Sequence, residues 1–88
     1  MSSDEQQYLT EFGKSLKTLR IEKLNKSLRI LAYETDVPRS TLSRIENGQR
    51  PLNLIILKRL ALGFNMSAVE FLKEIEKNIP EKIKNFDV

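Results

Sequence analysis

Apolar residues recur at intervals of three and four positions along most of this chain, as they do on one face of an amphipathic α-helix. The first stripe predicts a helix from about Glu5 to Leu24. Its apolar members are Tyr8, Leu9, Phe12, Leu16 and Leu19. Because helical periodicity dominates the rest of the chain as well, the pattern predicts an all-α fold with five helices.

A second and a third helix are predicted on either side of a break at residues 36–38. Ser27 can accept a backbone hydrogen bond as the N-cap of the second helix, which ends near Thr35. The proline in the break suits the start of a helix, so the third helix runs from about Arg39 to Glu46. Asn47-Gly48 could form a hairpin turn. Neither flank alternates apolar with polar residues, so we interpret the pair as the end of the helix.

Two more helices complete the pattern. Asn53 is predicted to cap the fourth, and Ser67 and Glu70 form an S-x-x-E capping box that opens the fifth, which ends before Pro80. The residues of the fourth helix predicted to face the core are Leu54, Leu57, Leu60, Ala61 and Phe64.

These helices divide the chain into a polar N-terminal extension over 1–8, one domain over 9–79 and a C-terminal tail over 80–88.

The composition is typical of one small soluble domain: 88 residues, of which 40% are hydrophobic and 31% charged. The longest apolar runs are far too short to cross a bilayer, and the polar N-terminus does not resemble a signal peptide. The chain has no cysteine and no histidine. It therefore lacks a thiolate nucleophile, the usual general base and the commonest zinc ligands. We expect no enzyme activity, no metal and no cofactor.

The charge is uneven along the chain. Residues 14–59 hold eleven basic and four acidic residues, whereas acidic residues exceed basic ones in 1–13 and in 60–88. A basic middle is typical of proteins that bind a polyanion, although an unevenly charged solvated surface would give the same count.

The third helix places Leu42 and Ile45 on one face and a polar set on the other. That set is Arg39, Ser40, Ser43 and Arg44. Two short helices joined by a tight turn form a helix-turn-helix, whose second helix enters the major groove of DNA. Arginine can bond guanine O6 and N7 together, and serine can bond several base edges. The pattern therefore favours double-stranded DNA as the partner.

The stretch S-T-L-S-R-I-E-N-G at 40–48 is the most distinctive part of the sequence. Together with 12–20, Leu31-Ala32 and 60–72, it resembles the lambda-repressor-like DNA-binding domains of the Cro/repressor type, over about residues 9–75. The resemblance implies a five-helix fold with the helix-turn-helix at helices two and three. It also implies a sequence-specific transcriptional regulator.

The resemblance implies roles for individual residues as well. The base-reading positions are Arg39, Ser40, Ser43 and Arg44, and the phosphate-contacting positions are Thr41, Asn47, Gln49 and Arg50. An ion pair between Arg20 and Glu46 is expected to orient the third helix. The chain departs from the family at four places: Leu28 replaces a common Gln, Asp36 a common Gly and Pro38 a common Ser or Thr, and one residue is added near Asn25-Lys26.

A stand-alone domain of this length resembles restriction–modification controller proteins, phage Cro-like repressors and some antitoxins, all acting in the cytoplasm on bacterial, phage or plasmid DNA. The segments 52–54 and 67–71 favour the controller group. An alternative is a protein–protein module that has kept the fold and lost DNA binding, which the changes at Leu28 and Asp36 permit.

We further expect a symmetric homodimer that binds a palindromic operator, because the C-terminal half has more apolar residues than one small core needs. The predicted interface residues are Leu52, Ile55, Ile56, Ile75, Ile79, Ile83 and Phe86. The alternative is that the tail folds back over its own helices.

Overall fold

The structure of the protein, a computed structural model, describes residues 2–85. Its helices are α1 (Ser3–Leu19), which continues as a π-helical turn (Arg20–Leu24), α2 (Leu28–Thr35), α3 (Arg39–Glu46), α4 (Leu54–Gly63), α5 (Ala68–Glu76) and α6 (Glu81–Lys84). No strand occurs in this part of the chain. The all-α prediction and the five predicted helices are confirmed. The short α6 is an addition, inside the segment expected to be a tail.

Capping residues set the helix starts where the sequence predicts them. Ser27, Asn53 and Ser67 each accept a hydrogen bond from the backbone N–H three residues further on. The Glu70 carboxylate completes the capping box by accepting the N–H of Ser67 at 2.8 Å. These starts are local features, since each needs only a side chain and the backbone of the next turn.

Helix α1 begins two residues earlier than its apolar stripe indicates. Ser2 accepts the N–H of Glu5, and the Glu5 carboxylate accepts the N–H of Ser2 at 2.7 Å. This is the same S-x-x-E box that opens α5. Residues 3–8, expected as an extension, are therefore the first turns of α1, and the Tyr8 ring packs against Phe12 with the ring centroids 6.0 Å apart.

The connection between α1 and α2 contains the residue that the family resemblance counts as added. After the π-helical turn, Asn25 adopts the left-handed conformation (φ 52°), and its N–H bonds the Ile21 carbonyl oxygen at 3.1 Å. The N–H of Lys26 bonds the Arg20 carbonyl oxygen at 3.3 Å. A π-turn closes its hydrogen bond one residue later than an α-turn. The extra residue is thus accommodated before α2 begins.

One hydrophobic core is shared by α1 to α5. Helix α1 packs on α3 and α5, α2 packs on α3 and α4, and α4 packs on α5. The fully buried large side chains are Leu16, Leu31, Leu42, Ile45, Leu60, Phe71 and Ile75. Gly13 lets α1 approach the end of α3 closely, because a Cβ there would lie 2.4 Å from the carbonyl oxygen of Glu46. The recognition-helix candidate α3 is therefore fixed directly on α1.

The start of α4 is rotated relative to the prediction. Leu54, expected to face the core, is 81% exposed, whereas Ile56, expected at a dimer surface, is buried. Both expectations are wrong, because residues 54–57 are all apolar and their periodicity does not determine which side faces inward. Ile55 remains exposed.

The C-terminal segment folds back onto the core. Ile75 and Ile79 are buried within the monomer, so the expectation that they form a dimer surface is wrong. Ile83 and Leu52 are half-buried against the same core, and α6 contacts α1. The alternative, in which the tail folds back over its own helices, therefore holds for Ile75, Ile79 and Ile83. Phe86 lies outside the described residues.

Candidate nucleic-acid interface

The turn between α2 and α3 is fixed by its backbone. Asp36 adopts the left-handed conformation (φ 56°), and the N–H of Val37 bonds the Ala32 carbonyl oxygen at 3.1 Å. The Val37 side chain is buried. From α4, Arg59 Nη1 donates to the Asp36 carbonyl oxygen at 3.0 Å. Aspartate tolerates this conformation, so its presence where glycine is common leaves a tight turn intact.

Helix α3 turns its apolar face to the core and its polar face to solvent. Leu42 and Ile45 are buried. On the other side, Arg39, Ser40 and Arg44 are exposed and Ser43 is half-buried. Neither arginine forms an ion pair with another described residue. Both guanidinium groups can therefore donate to acceptors outside the chain.

The four residues expected to contact phosphates lie on α3 and just beyond it. Asn47 and Gln49 are exposed, and Thr41 and Arg50 are half-buried. The helix ends here, because the N–H of Gln49 bonds the Arg44 carbonyl oxygen at 2.8 Å. Asn47-Gly48 is thus a helix end, as the sequence predicts.

The loop after α3 rests on the N-terminal half of α1. Gln6 Nε2 donates to the Gly48 carbonyl oxygen at 2.9 Å. Gly48 has φ +72°, and a Cβ there would lie 2.8 Å from the Cα of Thr10. This contact joins residues 42 positions apart. No local pattern could predict this contact, and nothing in the sequence pattern points to a role for Gln6.

A buried ion pair holds α3 against α1. Arg20 Nε donates to Glu46 Oε2 at 2.7 Å and Nη2 donates to Oε1 at 3.0 Å. The two side chains are 8% and 5% exposed. Arg20 Nη1 also donates to the Lys26 carbonyl oxygen at 2.8 Å. The pair expected from the resemblance is therefore present, and it reaches the α1–α2 connection as well.

Residues 2–85 contain no group of acidic residues arranged to hold a metal ion. The helices over the same range include none with the length and apolar character needed to cross a membrane.

The chain is similar to several proteins of known kind. It is 38% identical over 66 residues to the control protein C.MunI of a Mycoplasma species, covering 75% of this chain and 89% of that protein. Its structure is similar to the restriction-modification controller protein C.AhdI from Aeromonas hydrophila (TM-score 0.66, 30% identity, 76% of this chain and 94% of that one). The controller protein C.Esp1396I gives a TM-score of 0.70 at 28% identity, over 84% of this chain and 94% of that one.

The helix-turn-helix family model matches residues 16–71, which include α2, α3 and the buried ion pair. The exposed polar face of α3 and the tight turn before it are the features that such a domain needs to enter a DNA groove. The chain belongs to the helix-turn-helix family of DNA-binding transcriptional regulators.

Proposed function

We propose that the protein is a controller of the restriction–modification type, which regulates transcription as a homodimer on a palindromic operator. The observation that carries this proposal is that Arg39 and Arg44, which form no ion pair within residues 2–85, lie on the exposed face of a helix held by a buried ion pair. Relatives described as control or controller proteins support the subclass. The role is one of binding without catalysis, in the cytoplasm where bacterial DNA lies.

In this proposal α3 lies in the major groove. Arg39 and Arg44 read bases, assisted by Ser40 and Ser43. Contacts to the sugar–phosphate backbone fix the position of α3 on the duplex, and the groups that make them are Thr41, Asn47, Gln49 and Arg50. Base contacts determine sequence preference, whereas phosphate contacts raise affinity for every duplex alike.

The dimer is supported by apolar side chains that the monomer leaves exposed. Ile55 and Leu62 are both 62% exposed, and their spacing of seven places them on one face of α4. Leu54 and Val69 are also exposed, and α4 packs on the helix that carries Val69. A two-fold dimer through this surface would present two α3 helices, and binding to one face of DNA needs a spacing of about 34–36 Å.

Selection of binding sites from a pool of random duplexes tests the proposal. The wild-type protein should enrich a palindromic sequence. Arg39→Ala or Arg44→Ala should relax the preference at one position of each half-site and cost about 1–3 kcal/mol per half-site of the original sequence. Arg50→Ala should instead weaken binding to all duplexes alike, and the salt dependence should fall by the effect of about one phosphate contact per protomer.

Lys73→Gln is the matched control, because Lys73 is an exposed basic residue on α5. An unchanged selected sequence in both Arg39→Ala and Arg44→Ala would contradict the assignment of base-reading residues. Absence of salt-dependent binding to any duplex would favour the protein–protein module.

A further inference from the structure

We propose that Arg29 and Tyr33 on α2 bind the sugar–phosphate backbone beside the groove that α3 occupies. This inference rests on the proposed function, since it takes α3 to be the helix in the major groove. It adds two residues to the interface that the sequence pattern and the family resemblance did not assign.

Both residues line a groove between α2 and the start of α3, with a volume of about 390 Å³. Its lining residues are Arg29, Ala32, Tyr33, Asp36, Val37, Pro38 and Arg39. Arg29 and Tyr33 are four positions apart and so lie on the same face of α2. Arg39 belongs to both the groove and the polar face of α3. A duplex contacted by Arg39 therefore lies next to the groove.

Tyr33 is the side chain that most needs an explanation. It is 88% exposed, more than any other large apolar side chain described as exposed, although it stands on a helix whose neighbours Leu31 and Ala32 are buried. The core makes no use of its ring. A tyrosine has a flat apolar face that can pack on a deoxyribose and a hydroxyl that can donate to a phosphate oxygen. Backbone contacts of this kind position a protein on the duplex.

The charges in the groove suit one phosphodiester group. Neither Arg29 nor Arg39 forms an ion pair within residues 2–85. The acidic residue of α2, Glu34, is paired with Lys26 at 2.6 Å. Among the residues that line the groove, Asp36 carries the only carboxylate, whereas Arg29 and Arg39 carry two guanidinium groups. The net positive charge is complementary to a singly charged phosphate, and the planar guanidinium of Arg29 can bond its two free oxygens together.

The experiment measures the dissociation constant and its salt dependence for the full chain. The probe is a fluorescent duplex of about three helical turns that carries the site selected by the wild-type protein, with an unselected duplex for comparison. Arg29→Gln should weaken binding about tenfold for each half-site of the palindrome. It should also reduce the slope of log K against log salt by about 1.8, the effect of one phosphate in each of the two half-sites.

Tyr33→Ala should weaken binding severalfold with the slope unchanged, because it removes no charge. Tyr33→Phe should retain most of the affinity through its ring. Asp36→Asn keeps a side chain that tolerates the left-handed backbone and removes the repelling carboxylate, so it should tighten binding. Lys73→Gln, which removes one exposed charge from α5, should leave both quantities unchanged.

Failure of this inference is distinguishable from failure of the proposed function. If the wild-type protein binds no duplex, the proposed function is overturned and this inference with it. If the wild-type protein binds its selected site, and Arg29→Gln and Tyr33→Ala match it in affinity and slope, only the role of α2 is overturned. Variants that bind DNA normally but change transcription would also overturn it, in favour of a protein contact at the groove. Circular dichroism melts check folding, which these exposed positions should not alter.

Discussion

Arg20 bonds to two other parts of the molecule through a single guanidinium group. Three of its nitrogens donate, two to the Glu46 carboxylate on α3 and one to the Lys26 carbonyl oxygen before α2. Because both members of the pair are almost fully buried, removal of either leaves an uncompensated charge in a poorly solvated place. The pair therefore sets the position of the helix that carries the polar face.

We expect Glu46→Gln and Arg20→Met each to lower the free energy of unfolding by about 3–5 kcal/mol, the usual cost of breaking a buried pair. Urea titrations and thermal melts measure the loss. Lys14→Gln is the control, because Lys14 pairs with Glu11 at 3.5 Å on the surface and its side chain is 70% exposed. That change should cost only about 0–1 kcal/mol. A Glu46→Gln protein as stable as the Lys14→Gln protein would show that the pair is unimportant.

The sequence could predict some residue partners and not others. The Arg20–Glu46 pair followed from the family resemblance, and the N-caps Ser27 and Asn53 followed from local chemistry. The bond from Arg20 to Lys26 could not be predicted, because it depends on the π-helical turn that brings the α1–α2 connection back toward α1.

At the scale of elements, two side-chain hydrogen bonds hold the N-terminal half of α1 against the rest of the protein. Gln6 bonds the loop after α3, and the Tyr8 hydroxyl donates to Glu76 Oε2 on α5 at 2.6 Å. The first contact bears on DNA binding, because the loop contains Asn47 and Gln49, two of the proposed phosphate-contacting residues. The second contact bears on stability.

Gln6→Ala should weaken binding to selected and unselected duplexes by the same factor of a few, because it releases a loop that we propose to contact the sugar–phosphate backbone and not the bases. The loss of stability should be small, about 1 kcal/mol, as is typical of one hydrogen bond. Fluorescence anisotropy with both duplexes measures the effect. Gln7→Ala is the matched control, since Gln7 is exposed and adjacent. A change in sequence preference, or no change in affinity, would contradict the positioning role of Gln6.

Burial and the nearby Glu76 carboxylate raise the pKa of the Tyr8 phenol above its ordinary value of about 10. A folded-state pKa above the unfolded value means that this stabilisation is complete below pH ~10 and is lost as the pH rises through the folded-state pKa. Tyr8→Phe, which keeps the ring and removes the hydroxyl, should therefore be less stable than the wild type at pH 7. The gap in urea stability should shrink above pH ~10. A gap that stays constant up to alkaline pH would contradict the coupling between Tyr8 and Glu76.

The starts of the helices could be predicted from the sequence, whereas the face that each helix buries could be predicted only in part. The S-x-x-E box at Ser67 marked the start of α5, and the same signal at Ser2 could have marked the start of α1. The side of α4 that faces inward was not predictable, since Leu54 and Ile56 are equally apolar and packing against α2 and α5 decides between them. For the same reason Ile75 and Ile79 could not be assigned to the core before the path of the tail was known.

At the scale of the whole molecule, the tail closes the core, and α4 and the start of α5 carry an exposed apolar surface formed by Leu54, Ile55, Leu62 and Val69. This surface differs from the one expected from the sequence, whose members among residues 2–85 are buried or half-buried except for Ile55, which is 62% exposed. Buried residues cannot test dimerisation, because a charge at Ile79 would unfold the monomer itself. Exposed residues can test dimerisation, because their substitution leaves the core of the monomer unchanged.

We expect Ile55→Glu and Leu62→Glu to convert the proposed dimer into a folded monomer, because each places a charge in the proposed apolar interface while leaving the monomer's own packing intact. Sedimentation equilibrium at micromolar concentration measures the mass, and circular dichroism checks the fold. The variants should bind a palindromic site no better than an isolated half-site, since the two-fold arrangement of α3 is lost. Glu22→Gln, an exposed change on the π-helical turn, should leave the dimer unchanged. A wild-type protein that sediments as a monomer and binds single half-sites independently would overturn the dimer. Wild-type mass retained in both glutamate variants would instead exclude this face of α4 as the interface.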